Sequence, residues 1–137
     1  MDTSTPGSVR QLRLVVHAEN YDEALRFYRD VLGMPVEEQY AAEGGAQVSS
    51  LGAGRATLEL SNTPQVELID EVEVGRRVAP HFRVALEVVD ARAATAAAVE
   101  AGAGLVAEPR ETPWRSLNAR LDAPAEIHLT LFQELDT

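Results

Sequence analysis

Two arginines stand seventy residues apart in this chain, Arg13 and Arg83, each second in a short alternating run, and a glutamate, Glu59, sits in a third such run. A guanidinium is cationic at every accessible pH and presents a planar fork of donors that matches a carboxylate or phosphate. If all three residues face one hollow, one arginine can hold Glu59 bidentately. The other is then free to anchor a carboxylate, phosphate or enolate-like oxygen of a ligand. A plainer arrangement fits the same residues, with both arginines balancing Glu59 and Glu87 so that the charges on the floor are paired. A one-residue register slip would instead turn both arginines to solvent.

Other side chains can share that hollow. His17 and His128 fall on the same faces as the arginines and can donate or accept a proton near neutral pH, or simply hydrogen-bond in a polar cavity. Their spacing, and that of His81, matches no compact metal motif. Val15, Thr130 and Phe132 complete the inward rows, and Trp114, in a loop leading into a strand, can either stack on a planar ligand or pin its loop to the core. Gly52-Ala53-Gly54 is too short for a phosphate loop and leads into a strand.

The elements that must position these residues begin with the stretch Leu12 to Pro35. Leu12–His17 alternates as a strand, with Leu14 and Val16 on one face and Arg13, Val15 and His17 on the other. Asn20 and Glu23 form a capping-box-like start, and Ala24, Leu25, Tyr28, Val31 and Leu32 make one helical face. Gly33 stops the helix and Pro35 prevents its resumption. Strands follow at Val36–Tyr40, Gln47–Leu51 and Ala56–Ser61, the last placing Thr57, Glu59 and Ser61 on one face. Residues 63–79 read as an acidic solvated connector with one helical turn near Val66–Glu71. The second half repeats the order: strand Phe82–Val88, an Asp90-capped alanine-rich helix Ala91–Ala101, strands Leu105–Ala107 and Ser116–Leu121, a turn at Asp122–Ala125 and a last strand Ile127–Phe132.

An offset of seventy pairs Arg13 with Arg83, Val16 with Leu86 and Asn20 with Asp90, and an offset of seventy-one pairs Glu59 with Thr130, which argues for an internal duplication. Each half carries one helix and leaves one sheet face open. The expectation is an α+β fold of two βαβββ modules with cupped mixed β-sheets and helices outside. The boundaries are a lead-in at 1–9, module 1 at 10–62, the connector at 63–79 and module 2 at 80–134, together one integrated domain over 10–134.

The chain of 137 residues carries a formal charge of −10 and no cysteine. That field repels phosphate backbones, so nucleic acid is not expected as a partner. Thiolate metal sites and disulfides are excluded, and no apolar run is long enough for a membrane span, so a cytoplasmic setting is expected.

The segment Phe27-Tyr28-Arg29-Asp30-Val31-Leu32-Gly33, with Leu86-Glu87-Val88-Val89-Asp90 and Ala101-Gly102-Ala103 in the second half, resembles the vicinal oxygen chelate superfamily of glyoxalases, bleomycin-resistance proteins, fosfomycin-resistance enzymes and extradiol dioxygenases. The resemblance covers about Gln11 to Gln133 and implies paired modules, a homodimer and, in enzymatic members, a divalent metal on the cup floor. It places the metal ligands on each module's first strand, here Arg13 and Arg83, and on each last strand, here Glu59 and Thr130. One usable ligand of four does not hold a divalent ion against water. The expected function is therefore metal-independent binding of a small organic molecule, with no cofactor. The alternative is an enzyme of the same superfamily (a metal-dependent lyase, isomerase or dioxygenase) with an atypical site. The expected ligand-binding set is Arg13, Val15, His17, Glu59, Arg83, Trp114, His128, Thr130 and Phe132.

Overall fold

In the computed structural model, which describes residues 8–31 and 33–135, the strands are β1 (Val9–His17), β2 (Val36–Ala41), β3 (Gln47–Ala53), β4 (Ala56–Ser61), β5 (Phe82–Val88), β6 (Gly104–Glu111), β7 (Ser116–Ala123) and β8 (Ile127–Glu134). They form one mixed sheet in the order β2-β3-β4-β1-β5-β8-β7-β6. β1 and β5 pair antiparallel at its centre, and each runs parallel to the last strand of its own half, β4 or β8. The two parallel ladders match: Val15 lies opposite Glu59 in one and Ala85 opposite Thr130 in the other. The halves are thus joined within one chain, with Leu14 facing Val84 at the centre of the pseudo-dyad.

One face of the sheet is covered by α1 (Tyr21–Arg26) and α3 (Ala91–Glu100). Alternation puts Leu51 and Leu60 under Ala18, Tyr21 and Leu25, and Leu117, Ala119, Leu121 and Leu131 under Ala91 and Ala94. Alanines let α3 approach this surface closely. Asn20 and Asp90 cap the two helices by accepting from the backbone N–H of Glu23 and Ala93.

Several boundaries differ from those expected. β1 begins at Val9, inside the expected lead-in, and residues 1–7 and Leu32 lie outside the described residues. α1 continues into a π-helical turn, Phe27–Val31, whose wider winding rotates the helical face and leaves Val31 67% exposed. β6 runs through Pro109, which an edge strand with a bulge accommodates.

The largest correction concerns the connector. It forms an eleven-residue helix, α2 (Thr63–Glu73), rather than a single exposed turn. Asn62 caps it, accepting from Gln65 N–H at 2.9 Å, and Pro64 sits in the first turn. At the other end Val74 and Gly75 both return their N–H groups to the Asp70 carbonyl, with Gly75 at φ 94°. α2 lies on the sheet face opposite α1 and α3, so the helices are not all outside. No helix among the described residues is long and apolar enough to cross a membrane.

Candidate functional site

Arg13, Val15 and His17 on β1, Glu59 on β4, Arg83 on β5, and His128, Thr130 and Phe132 on β8 occupy the inner face, as their alternation requires. Val15, Ala85 and Phe132 form a small buried apolar patch at its centre. The two arginines lie on either side of it, Arg13 opposite Ala85 and Arg83 opposite Val15.

Each arginine turns to the last strand of its own half. Arg13 Nη1 donates to Glu59 Oε2 at 3.3 Å and its Nε to Gln11 Oε1 at 2.7 Å, and the guanidinium stands 5.2 Å from the centre of the Phe132 ring. Glu59 Oε2 also accepts from the Ser50 hydroxyl at 2.9 Å, and Gln11 Nε2 donates to Glu87 at 3.0 Å. Arg83 Nη1 donates to Thr130 Oγ1 at 2.7 Å. Burial, then the charge of Arg120, pushes the Arg83 guanidinium below its ordinary value against the pull of Glu73, Glu59 and Asp70, and it remains a cation.

α2 covers the Arg83 end of this face. Its residues Val66, Ile69, Asp70 and Glu73 recur with helical spacing, and three of them are buried. Arg120, fully buried on β7, donates through Nε to Glu73 Oε1 at 2.7 Å and pairs with Asp70 Oδ1 at 2.9 Å. The latter contact is a close ion pair between two fully buried side chains. Glu73 Oε2 accepts from Asn118 at 2.6 Å, and Asn118 accepts from Ser116 at 2.6 Å. Asp70 Oδ2 accepts from the N–H groups of Val78 and Ala79 and from Arg77. Burial pushes the Asp70 carboxyl up. The Ala79 and Val78 backbone donors and Arg120 outweigh it, so the net shift is downward.

His128 is buried beside Arg120, whose Nη1 lies 3.1 Å from its Nε2. Arg120 can only donate, so Nε2 accepts and the proton resides on Nδ1, which faces Asp122 at 3.5 Å. Burial, then Arg120 and Arg83, lowers the imidazole below its ordinary value. His17 Nε2 lies 2.7 Å from Thr63 Oγ1 at the start of α2. Trp114 lies in the turn between β6 and β7. It is 48% exposed at the tip of the β6–β7 hairpin, so it does not pin its loop to the core.

Under α2, the space between His17, Ser61, Arg83 and Arg120 is about that of a single water molecule. Arg120, Asp70, Glu73 and Asn118 are the residues the sequence reading missed. Their signals were the polar row Ser116, Asn118, Arg120 alternating with Leu117, Ala119, Leu121, and the Asn62-Thr63-Pro64 helix start.

At the four metal-ligand positions implied by the resemblance, two guanidiniums face a carboxylate and a hydroxyl already engaged as their acceptors, a donor set that does not suit a divalent cation. No cluster of three His, Asp or Glu side chains able to hold a metal occurs among the described residues.

A mixed sheet of two βαβββ halves around a shared polar face defines the vicinal oxygen chelate class. The model of the Glyoxalase-like domain matches residues 13–132, and the chain belongs to that family. Among solved structures, a hypothetical protein from Bacillus halodurans C-125 superposes with a TM-score of 0.67 at 14% identity, covering 97% of this chain and 98% of that one. A glyoxalase/bleomycin resistance protein/dioxygenase superfamily member from Vibrio splendidus 12B01 gives 0.64 at 14% identity, covering 93% and 100%. Methylmalonyl-CoA epimerase from Mycobacterium tuberculosis gives 0.61 at 18% identity, covering 99% and 94%. These likenesses establish the fold. No curated protein is significantly similar in sequence.

Proposed function

We propose that this protein binds a small organic molecule in the cup without a resident metal ion. The observation that carries the reading is the pairing of Arg13 with Glu59 and of Arg83 with Thr130, at the four positions where the family resemblance implies metal ligands. At the Arg13 end, a partly exposed guanidinium over the Phe132 ring offers a polar anchor beside an apolar surface. Glu59 and Glu134 pair with that guanidinium and Glu87 is reached through Gln11, so this end selects a polar or cationic group beside any anionic one. Val15, His17 and His128 belong to the same inner face and tune it from beneath. The expected setting is a cytoplasmic homodimer, the oligomer being checked by light scattering.

The test is elemental analysis of the native protein together with thermal melting. Metal content near zero, a melting temperature unmoved by a chelator, and fragment hits lost in Arg13→Ala are expected. Stoichiometric zinc, nickel, manganese or iron, with a melting temperature that falls on chelation, would replace this reading with an enzyme of the same superfamily.

A further inference from the structure

A hollow of about 510 Å³ opens between the chain that follows α2 and the β7–β8 turn, and it shares no lining residue with the Arg13 end. Val78, Pro80 and Ala123 give it apolar walls, and Asp122, Glu126 and His128 supply its polar groups. That size and that mixture suit a small organic molecule. The walls are held in place. Asp70 Oδ2 accepts from the N–H groups of Val78 and Ala79, which fixes the stretch leading to Pro80. His128, with its side chain 7% exposed, is held through Nε2 by Arg120, so its Nδ1–H faces Asp122 Oδ1. Walls that are already ordered lose little freedom when a ligand binds.

Glu126 adds an independent observation. Its φ is 59°, in the left-handed region that a residue with a Cβ rarely adopts and where glycine sits without strain. Its side chain makes no hydrogen bond or ion pair among the described residues that would offset the strain. Backbone strain of this kind collects where a side chain must be presented to a ligand. Asp122, 73% exposed, meets His128 but no arginine among the described residues. Arg77, next to Val78 in the chain, is engaged by Asp70 and the Ala79 carbonyl. Two carboxylates without a counter-cation thus border an apolar hollow, in a chain whose formal charge of −10 already attracts cations.

We propose that this hollow binds a small organic ammonium ion, its charge answered by Asp122 and Glu126 and its apolar body packed on Val78, Pro80 and Ala123. His128 is a positioning residue: its Nδ1–H faces Asp122 and orients that carboxylate, while its buried ring closes the inner wall. A bare divalent ion suits the place less, because no group of three His, Asp or Glu able to hold one occurs among the described residues. A hydrocarbon body beside the charge also uses the apolar walls, which an inorganic ion leaves bare.

Benzylamine is the probe, with benzyl alcohol and benzoate as neutral and anionic controls of similar shape and calcium as a competing ion. In an NMR titration of the full chain, benzylamine should saturably shift the amides of Val78, Ala79, Asp122 and Glu126 and the His128 imidazole. It should bind about 10-fold more tightly than either control, and Asp122→Asn combined with Glu126→Gln should remove that advantage. Glu126→Gly separates strain from structure: it should lose benzylamine binding while its melting temperature is not lowered. No saturable shift, equal binding of benzyl alcohol, or displacement by calcium at equal concentration overturns the inference. So does full affinity in Glu126→Gly, or a set of shifts centred on Arg13 and Phe132. Fragment hits at Arg13 and benzylamine binding here are separate readouts, so the open-cup reading and this second site can each fail alone.

Discussion

Arg13 and Arg83 occupy equivalent places in two halves of one sheet, yet their surroundings are opposite. Arg13 is partly exposed, lies over Phe132 and shares its charge with a carboxylate on its own half, Glu59. Arg83 meets only a neutral hydroxyl on its own half, and its charge is answered by Glu73, Glu59 and Asp70 at longer range. The backbone is duplicated while the electrostatics are not. The cause is α2, which joins the halves once and can cover only one end of the shared face. It supplies two carboxylates there, and β7 supplies Arg120 to receive them.

The sharpest way to break this contrast is at Arg120. Arg120→Ala leaves Glu73 buried without its counter-ion and Asp70 with only the half-exposed Arg77, and loss of one partner from such a pair costs about 3–5 kcal/mol. Urea unfolding should register that loss. Arg13→Ala, at the water-facing end, should cost less than about 1 kcal/mol. Equal effects at the two sites would mean that burial by α2 does not separate them.

Acid should act at the end that α2 covers. His128 is held below the ordinary imidazole value, so the unfolded chain takes up its proton first, near pH ~6.5. Its contribution is whole above that pH and declines as pH falls toward its folded value. Asp70 is likewise lowered, so its contribution is whole above about pH 4 and is lost as pH falls through its folded value. Stability measured against pH should therefore decline in two stages, the upper removed by His128→Gln and the lower by Asp70→Asn. A single decline that neither substitution alters would contradict the assignment.

A smaller effect is expected where α2 starts. Asn62 Oδ1 accepts from Gln65 N–H and Gln47 N–H, and its Nδ2 donates to the Gly45 carbonyl, so one side chain ties the cap to the turn before β3. Asn62→Ala should cost about 1–2 kcal/mol by thermal melting. Amide exchange should rise first in α2 and leave α1 and α3 unchanged.

The sheet was legible because its signal is local. Alternation in Leu12–His17, Ala56–Ser61 and Phe82–Val88 places Arg13, Glu59 and Arg83 on one face without knowledge of partners. The duplicated arginine then fixes which face is shared. α2 was not legible in the same way, because its inward row includes Asp70 and Glu73, and carboxylates ordinarily signal solvent. Their burial depends on Arg120, fifty residues away from Asp70, and no local pattern carries that pairing. Of the two expectations for Trp114, pinning to the core is excluded by its exposure in the tight turn Thr112–Ser116.

The smallest effect tests the open end itself. A double-mutant cycle on Arg13→Ala and Glu59→Gln isolates their coupling, which for a pair with side chains 22% and 15% exposed should be under about 1 kcal/mol and should shrink further in salt. The guanidinium also lies over Phe132 and bonds Gln11, so Arg13→Ala retains a cost of its own when Glu59 is already changed. A weakly coupled pair is what a ligand anchor requires, since an incoming group must be able to redirect either partner. Coupling of several kcal/mol, independent of salt, would instead make Arg13–Glu59 a structural lock equivalent to the one beneath α2, and the two ends of the cup would no longer differ in kind.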